Sequence, residues 1–279
     1  MSDINAYTTA EIANLTPQSG DLVLNTDDNA VQLWNGSAWK IFNSDAASFL
    51  NTYSLSFDGN GDYMSAAVTE LNGINAFSAS IWFRFKGSLG GTANIIMSGG
   101  DGTSANTESW YVWLKDTTTI QYASQGSNAK DFNITVHPTI STINNSTWYH
   151  LTVVHSGTSA TLYLDGSSLG TQTVNTLPSS SGNAFNIGRW SAGASYYYNG
   201  YADEVSLFDS ALDASDVASL RDTSGANPVP ADIESLSPVA WWRMEEGSGD
   251  SVVNTANSGT ADGTINGATF VSGTGNIPG

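Results

Sequence analysis

The run FSASIWFRF, residues 77–85, sets Phe77, Ala79, Ile81, Phe83 and Phe85 on one side of an extended chain and Ser78, Ser80, Trp82 and Arg84 on the other. A two-residue period belongs to a strand with one buried face, because successive side chains point to opposite sides of a sheet. Comparable runs follow at SWYVWLK, TIQYAS, WYHLTVVHSG, ATLYLDGSSLG, FNIGRW and YADEVSLFD, separated by clusters of Gly, Asn and Ser. Many short strands with turn punctuation predict an all-β fold, an antiparallel two-sheet sandwich or jelly roll.

The chain has 279 residues, of which 40% are hydrophobic, enough to bury a sizeable core. Eight Lys and Arg stand against 26 Asp and Glu, a net charge of -18. That field repels nucleic-acid phosphates and anionic lipid, so neither is an expected partner. Cysteine is absent, which removes disulfides, thiolate zinc sites and cysteine nucleophiles. No stretch reaches the roughly 20 apolar residues of a membrane helix, and the first residues show no export signal.

Three regions follow from the patterning. Residues 1–44 form a small N-terminal unit: a helical turn or two at TTAEIANL, a strand at GDLVLNT, and a hairpin at AVQLWNGSAWKIF around Asn35-Gly36, with Trp34 and Trp39 flanking its turn. Residues 52–222 carry the main strand pattern. Within them LDASDVASLRD reads as a short helix that Asp213 caps, with Asp216 completing a capping box. After a Gly/Pro break at 224–230, residues 229–279 carry further strands, VAWWRM and DGTINGATFV.

YSLSFDGNGDYM (53–64), FSASIWFRF, STWYHLTVVHSGTSATLYLDGSSLG (146–170), FNIGRW and YNGYADEVSLFDSALDASDVASL stand in the order and spacing of a known family. Over residues 52–222 the chain resembles the laminin-G-like, concanavalin A-like jelly-roll domains. The resemblance implies two curved antiparallel sheets packed face to face, and a calcium ion held by acids of the FDG..DY turn and the DEV strand, here Asp58, Asp62 and Asp203. Read as a plain strand, YADEVSLF sets Asp203 on one face with Tyr201, Val205 and Leu207, where its carboxylate needs a partner. That partner is either Ca²⁺ or a protein group such as a backbone N–H, Arg84 or Arg189, and Asp58 and Asp62 are otherwise turn residues.

Two further resemblances bear on context. GDLVLNTDDNAVQLWNGSAW is similar to a short module of tailed-bacteriophage structural proteins, near the base of fibres and appendages. SPVAWWRMEEGSGDSVVNTANSGTADGTINGATFV resembles the stretch that in many laminin-G-like domains precedes the FDG..DY strand, yet here it follows. It either completes the same sandwich, the favoured reading, or begins a partial second copy that pairs with another subunit; in both, Trp241 and Met244, or Trp242 on the other face, are buried.

Enzymatic signatures are absent. A retaining glycosidase needs two acids ~5 Å apart, whereas Asp203-Glu204 and Glu245-Glu246 are adjacent pairs whose members point to opposite faces of a strand. His150 and His155 fall on opposite faces of one strand, His137 precedes a proline, and no Gly-x-Ser-x-Gly elbow occurs. Binding remains. Trp190, Tyr196, Tyr197, Tyr198 and Asn199, with Asp101 in the loop 98–111, supply aromatic faces and polar groups suited to a sugar. A subunit contact is the other use for such a loop.

The expectation is therefore a non-enzymatic virion surface protein of a phage, an appendage, fibre or capsid decoration, that adheres to host glycans. It would attach to other virion proteins through its N-terminal module and assemble as a homo-oligomer, a trimer favoured. The alternative is a secreted bacterial carbohydrate-binding or adhesion module acting outside the cell.

Overall fold

A computed structural model of the chain describes residues 5–18, 21–27, 30–34, 39–42, 51–87, 94–101, 109–124, 132–135, 142–193, 195–221, 230–257 and 259–272. The Asn35-Gly36 turn, His137, the break at 224–229 and most of the loop after Asp101 lie outside these residues. The chain divides into two units, Met1–Leu50 and Asn51–Gly279.

The first unit is one four-stranded sheet, ordered β1 (Asn5–Tyr7), β2 (Leu22–Asn25), β3 (Ala30–Trp34) and β4 (Trp39–Phe42). β1 pairs with β2 in parallel, a strand that the hydropathy pattern does not announce; the other pairs are antiparallel. A helical turn, α1 (Thr9–Ile12), joins β1 to β2; Thr8 caps it, its hydroxyl accepting from the Glu11 N–H while the Glu11 carboxylate reaches back to the Thr8 N–H. Trp34 and Trp39 meet edge to face with ring centres 5.5 Å apart.

The second unit is a two-sheet antiparallel sandwich. Its strands are β5 (Tyr53–Asp58), β6 (Tyr63–Ala66), β7 (Ala76–Phe85), β8 (Asn94–Gly100), β9 (Ser109–Asp116), β10 (Thr119–Ser124), β11 (Phe132–Thr135) and β12 (Tyr149–Ser156). There follow β13 (Ser159–Leu164), β14 (Ser167–Thr173), β15 (Phe185–Ile187), β16 (Asn199–Phe208), β17 (Ala240–Trp242), β18 (Ser251–Val252), β19 (Gly263–Asn266) and β20 (Thr269–Ser272). Sheet one runs β14-β13-β12-β7-β16-β5-β20, with β17 also paired to β16; sheet two runs β11-β10-β9-β8-β15-β6-β19-β18. The C-terminal strands thus pair within their own chain, β19 with β6 and β20 with β5.

The core lies between the sheets. Phe77, Ala79, Ile81, Phe83 and Phe85 of β7 face Trp110, Val112 and Leu114 of β9, Phe185 of β15 and Met64 of β6 within it. Aromatic pairs cross the gap, Phe77 with Trp110 at 4.7 Å and Phe185 stacked on Trp242 at 5.2 Å. Each aromatic group of this size contributes ~3–5 kcal/mol against truncation. The outer face of sheet one is covered in turn by two short helices, α2 (Ala214–Ser219) and α3 (Pro230–Ser235). Val217 of α2 and Ile233 of α3 bury against Val154, Phe208 and Trp241. Asp213 caps α2 with the expected box to Asp216. α3 is a helix that the Gly/Pro break disguises: Pro230 opens it, where its missing N–H costs nothing.

β16 departs from a regular strand. Ala202 faces the core before residue 203, and Val205 and Leu207 face it afterwards. The switch is a β-bulge between Asp203 and Ser206, with Glu204 at φ 44°. Tyr201 and Asp203 therefore share the outer face, and the expected common face of Tyr201, Asp203, Val205 and Leu207 does not form. The bulge falls where the neighbour of β16 changes from β5, which pairs residues 199–202, to β17, which pairs residues 205–207.

Candidate functional site

Two features build an aromatic cleft on the outer face of sheet two. On β9 the core takes Trp110, Val112 and Leu114, so alternation turns Tyr111 and Trp113 outward. The loop between β15 and β16 supplies the rest. Gly188, at φ 93°, starts that loop against the Phe57 ring, which a Cβ there would meet at 2.7 Å, and the Gly188 carbonyl accepts from the Tyr198 N–H at 2.8 Å. Between these anchors the loop reverses through Tyr196, whose φ of 62° is unusual for a bulky residue. The Tyr196 carbonyl accepts from the Ile95 N–H at 3.1 Å, which ties the loop to β8.

The cleft holds about 130 Å³ between Ile95, Tyr111, Trp113, Trp190 and Tyr196. Trp190 stands edge-on to Tyr111, centres 6.1 Å apart, and tilted to Tyr196 at 5.6 Å. The indole N–H groups of Trp113 and Trp190 are buried and have no hydrogen-bond partner among the described residues. Tyr196 is 46% exposed, a large side chain left open to a ligand. An apolar cleft of aromatic faces, with no carboxylate among the described residues of its lining, can stack on the C–H face of a sugar ring.

Of the expected ligand-binding residues, Trp190 and Tyr196 come together here. Tyr197 is half-buried beside them and outside the lining. Tyr198 is a core residue: it is fully buried, packs on Phe57 at 6.0 Å and donates its hydroxyl to the Tyr201 carbonyl. Asn199 begins β16, and its N–H donates to Asn94. Asp101 follows the far end of β8, six residues and roughly 20 Å from Ile95 at 3.3 Å per residue. Tyr111 and Trp113 had a signal that the motif reading passed over, aromatic residues at the outward positions of SWYVWLK; Ile95, on β8, had none.

The three acids expected to hold calcium are not brought together. Asp58 and Asp62 form a turn, Asp58 Oδ1 accepting from the Asn60 N–H at 2.7 Å and Asp62 Oδ2 from the Asp58 N–H at 2.9 Å. Asp203 lies four residues along β16 from Asn199, the residue opposite Asp58, which is about 13 Å at strand rise. Among the described residues no three His, Asp or Glu side chains cluster as a metal site. The calcium set Asp58, Asp62 and Asp203 does not fit this geometry.

Asp203 instead belongs to a buried cluster at the bulge. Its Oδ1 accepts from the Glu204 N–H at 2.8 Å, while Oδ2 has no close hydrogen-bond partner among the described residues, and the Asn51 side chain is the polar neighbour that favours its charge. Glu204 accepts from the Trp241 indole at 2.6 Å and from Arg243 Nε at 3.3 Å. Burial pushes both carboxyls up, Asp203 far above its usual range with Glu204's charge adding, and Glu204 to about 7 with Arg243 pulling it back. Of the two, Asp203 holds its proton more strongly, and the charge of Glu204 is the one that Arg243 and the Trp241 indole favour. Nearby, Glu245 receives the Thr52 and Tyr53 N–H groups, tying the start of β5 to the C-terminal segment.

The histidines lie on opposite faces of β12, as the alternation requires. His155 is in the core, hydrogen-bonded to the Tyr122 hydroxyl at 2.7 Å. His150 faces out of sheet one and meets Ser80 Oγ at 2.6 Å, yet both are buried, and the pKa of His150 falls to about 3 through burial and then Arg221. The pair is shielded from solvent, and no substrate reaches the serine in this arrangement.

Residues 58–218 match the family model of the concanavalin A-like lectin/glucanases superfamily, more than half of the chain. The chain belongs to that superfamily. Solved structures are similar to the chain at low identity. A Bacteroides ovatus protein proposed to bind carbohydrate matches with TM-score 0.57 and 15% identity, over 79% of this chain and 60% of that one, so the chain spans less than two thirds of it. A heptameric SAP-like pentraxin of Limulus polyphemus matches with TM-score 0.49 and 16% identity, over 64% and 85%. The CBM40 domain of a Ruminococcus gnavus IT-sialidase, bound to α2,3-sialyllactose, matches with TM-score 0.47 and 8% identity, over 61% and 98%. No curated protein matches by sequence.

Proposed function

We propose that the sandwich is a non-catalytic carbohydrate-binding domain that grips a sugar ring in the cleft of Ile95, Tyr111, Trp113, Trp190 and Tyr196. The observation that carries this reading is the cleft itself, where four aromatic side chains, Tyr111, Trp113, Trp190 and Tyr196, converge beside Ile95. The acids speak against hydrolysis. Asp203 and Glu204 are both buried, and Glu204 is committed to Trp241 and Arg243. A glycan array probed with the wild type and Trp190→Ala tests it. Binding by the wild type that the variant loses is the expected result; equal binding by both proteins contradicts the cleft.

We further propose that this domain serves on the surface of a phage particle, as an appendage, fibre or capsid decoration. The four-stranded N-terminal unit would join it to other virion proteins, with trimeric assembly favoured. The similarity of GDLVLNTDDNAVQLWNGSAW to phage structural modules supports this context, and many copies would raise a weak single-site affinity to useful avidity. Immunogold labelling of particles tests the context. Label on heads or tails is expected; label on cells alone favours the secreted bacterial adhesion module instead.

A further inference from the structure

The aromatic cleft is one end of a longer feature on the outer face of sheet two. Tyr111 of β9 stands opposite Ser98 of β8, Ser98 opposite Asn186 of β15, Asn186 opposite Ser65 of β6, and Ser65 opposite Thr264 of β19. Each is flanked along its strand by a residue of the sandwich core: Trp110, Met97, Phe185, Met64 and Ile265. Alternation therefore turns the whole row to the outer side of the sheet, where Arg189 covers the buried Ser98 and Asn186. It crosses the strands at right angles and spans four strand spacings, about 19 Å at ~4.8 Å each.

A second cleft, of about 360 Å³, lies along the β15, β6 and β19 part of this row. Ser65, Asn183, Asn186, Arg189, Asp262 and Thr264 line it. Hydroxyls, amides and one charge of each sign replace the aromatic walls. Consecutive residues join the two clefts, Arg189 lining the polar one and Trp190 the aromatic one. Arg189 is held firmly between them. Its carbonyl accepts from Ser98 Oγ at 2.8 Å, its Nε donates to Asn186 Oδ1 at 3.0 Å, and its guanidinium stacks 3.6 Å over the Tyr63 ring. Among the described residues Arg189 has no ion pair.

We propose that the ligand is a neutral oligosaccharide that runs across the strands, one ring in the aromatic cleft and the following rings over Arg189 into the polar cleft. This rests on the carbohydrate reading of the aromatic cleft and adds the length and charge class of its ligand. The change from stacking walls to donors and acceptors suits a chain whose first ring is gripped by its C–H face and whose later rings are read through their hydroxyls. A polyanion is disfavoured, because Asp262 balances Arg189 locally and the whole chain carries -18.

An array that presents neutral glycans both as monosaccharides and as their oligomers tests the proposal, followed by titration calorimetry with the best pair. Oligomers should bind at least about tenfold tighter, ~1.4 kcal/mol. Thr264→Arg, a surface change that fills the polar cleft, should bring oligomer affinity down to that of the monosaccharide, with an unchanged melting temperature as the folding control. Equal affinity for monosaccharide and oligomer, with Thr264→Arg silent, overturns the extension and leaves the aromatic cleft standing. A silent Trp190→Ala, or preference for sulfated or uronate-rich chains, overturns the reading of the cleft or its charge class respectively.

Discussion

Among single residues the three adjacent tyrosines divide by backbone direction. Tyr196 points to the cleft and Tyr198 to the core, although their chemistry is identical. Tyr198→Ala should cost about 3–5 kcal/mol, as for other large core aromatics, and a melting curve reads this directly. Tyr196→Ala should stay within roughly 0.5 kcal/mol of the wild type while weakening glycan binding. Asp203 makes a different demand. Its raised pKa, like that of Glu204, means that the folded state binds more protons than the unfolded one above the unfolded carboxylate range near 4. The associated stability is complete below that range and is lost as pH rises through the folded values. Unfolding free energy should therefore fall between about pH 4.5 and 7.5, by up to ~1.4 kcal/mol per pH unit for each group. Asp203→Asn should flatten that slope and gain on the wild type as pH rises, with or without a chelator; a loss of stability seen only when calcium is present would contradict this account.

For the strands and helices, most of the architecture was legible because a two-residue hydropathy period reports which face is buried. β7, β9 and β12 carry that period cleanly, and their core faces are the ones that the pattern marks. Where it failed, backbone geometry intervened. The bulge at Glu204 shifts the faces of β16 by one residue, and no local composition signals it, since Glu is not a residue that favours φ above zero. α3 was hidden by the prolines around it, and the calcium set relied on a resemblance rather than on spacing within one segment. Two of the five residues that line the candidate cleft, Trp190 and Tyr196, were readable from their loop. The other three required knowing that β8 and β9 run beneath that loop, a long-range pairing that a single sequence does not reveal. The C-terminal segment is part of the sandwich core, to which it contributes Trp242, Met244, Val252 and Ile265. Removing residues 239–279 should leave Phe185 without its stacking partner and give an aggregated product in size-exclusion chromatography; a folded monomer would show that the sandwich closes without them.

For the whole molecule, charge and surface chemistry point the same way. A chain with a net charge of -18 repels anionic polymers over about a Debye length, ~8 Å at physiological salt, while its outer sheet offers aromatic faces, hydroxyls and amides. Affinity for a neutral glycan should therefore change little between low and high salt, and a steep salt dependence measured by calorimetry would mean that charge pairing carries the binding. The central claim is that the aromatic cleft holds the sugar, and the indole N–H groups of Trp113 and Trp190 report on it most directly. With the nine tryptophans labelled and these two assigned through Phe variants, their ¹H–¹⁵N signals should move on titration with the neutral oligosaccharide selected on the array. Trp110, Trp241 and Trp242, sealed in the interior, should stay in place. Saturable binding that leaves Trp113 and Trp190 unmoved, or no neutral glycan that moves them, would contradict the account.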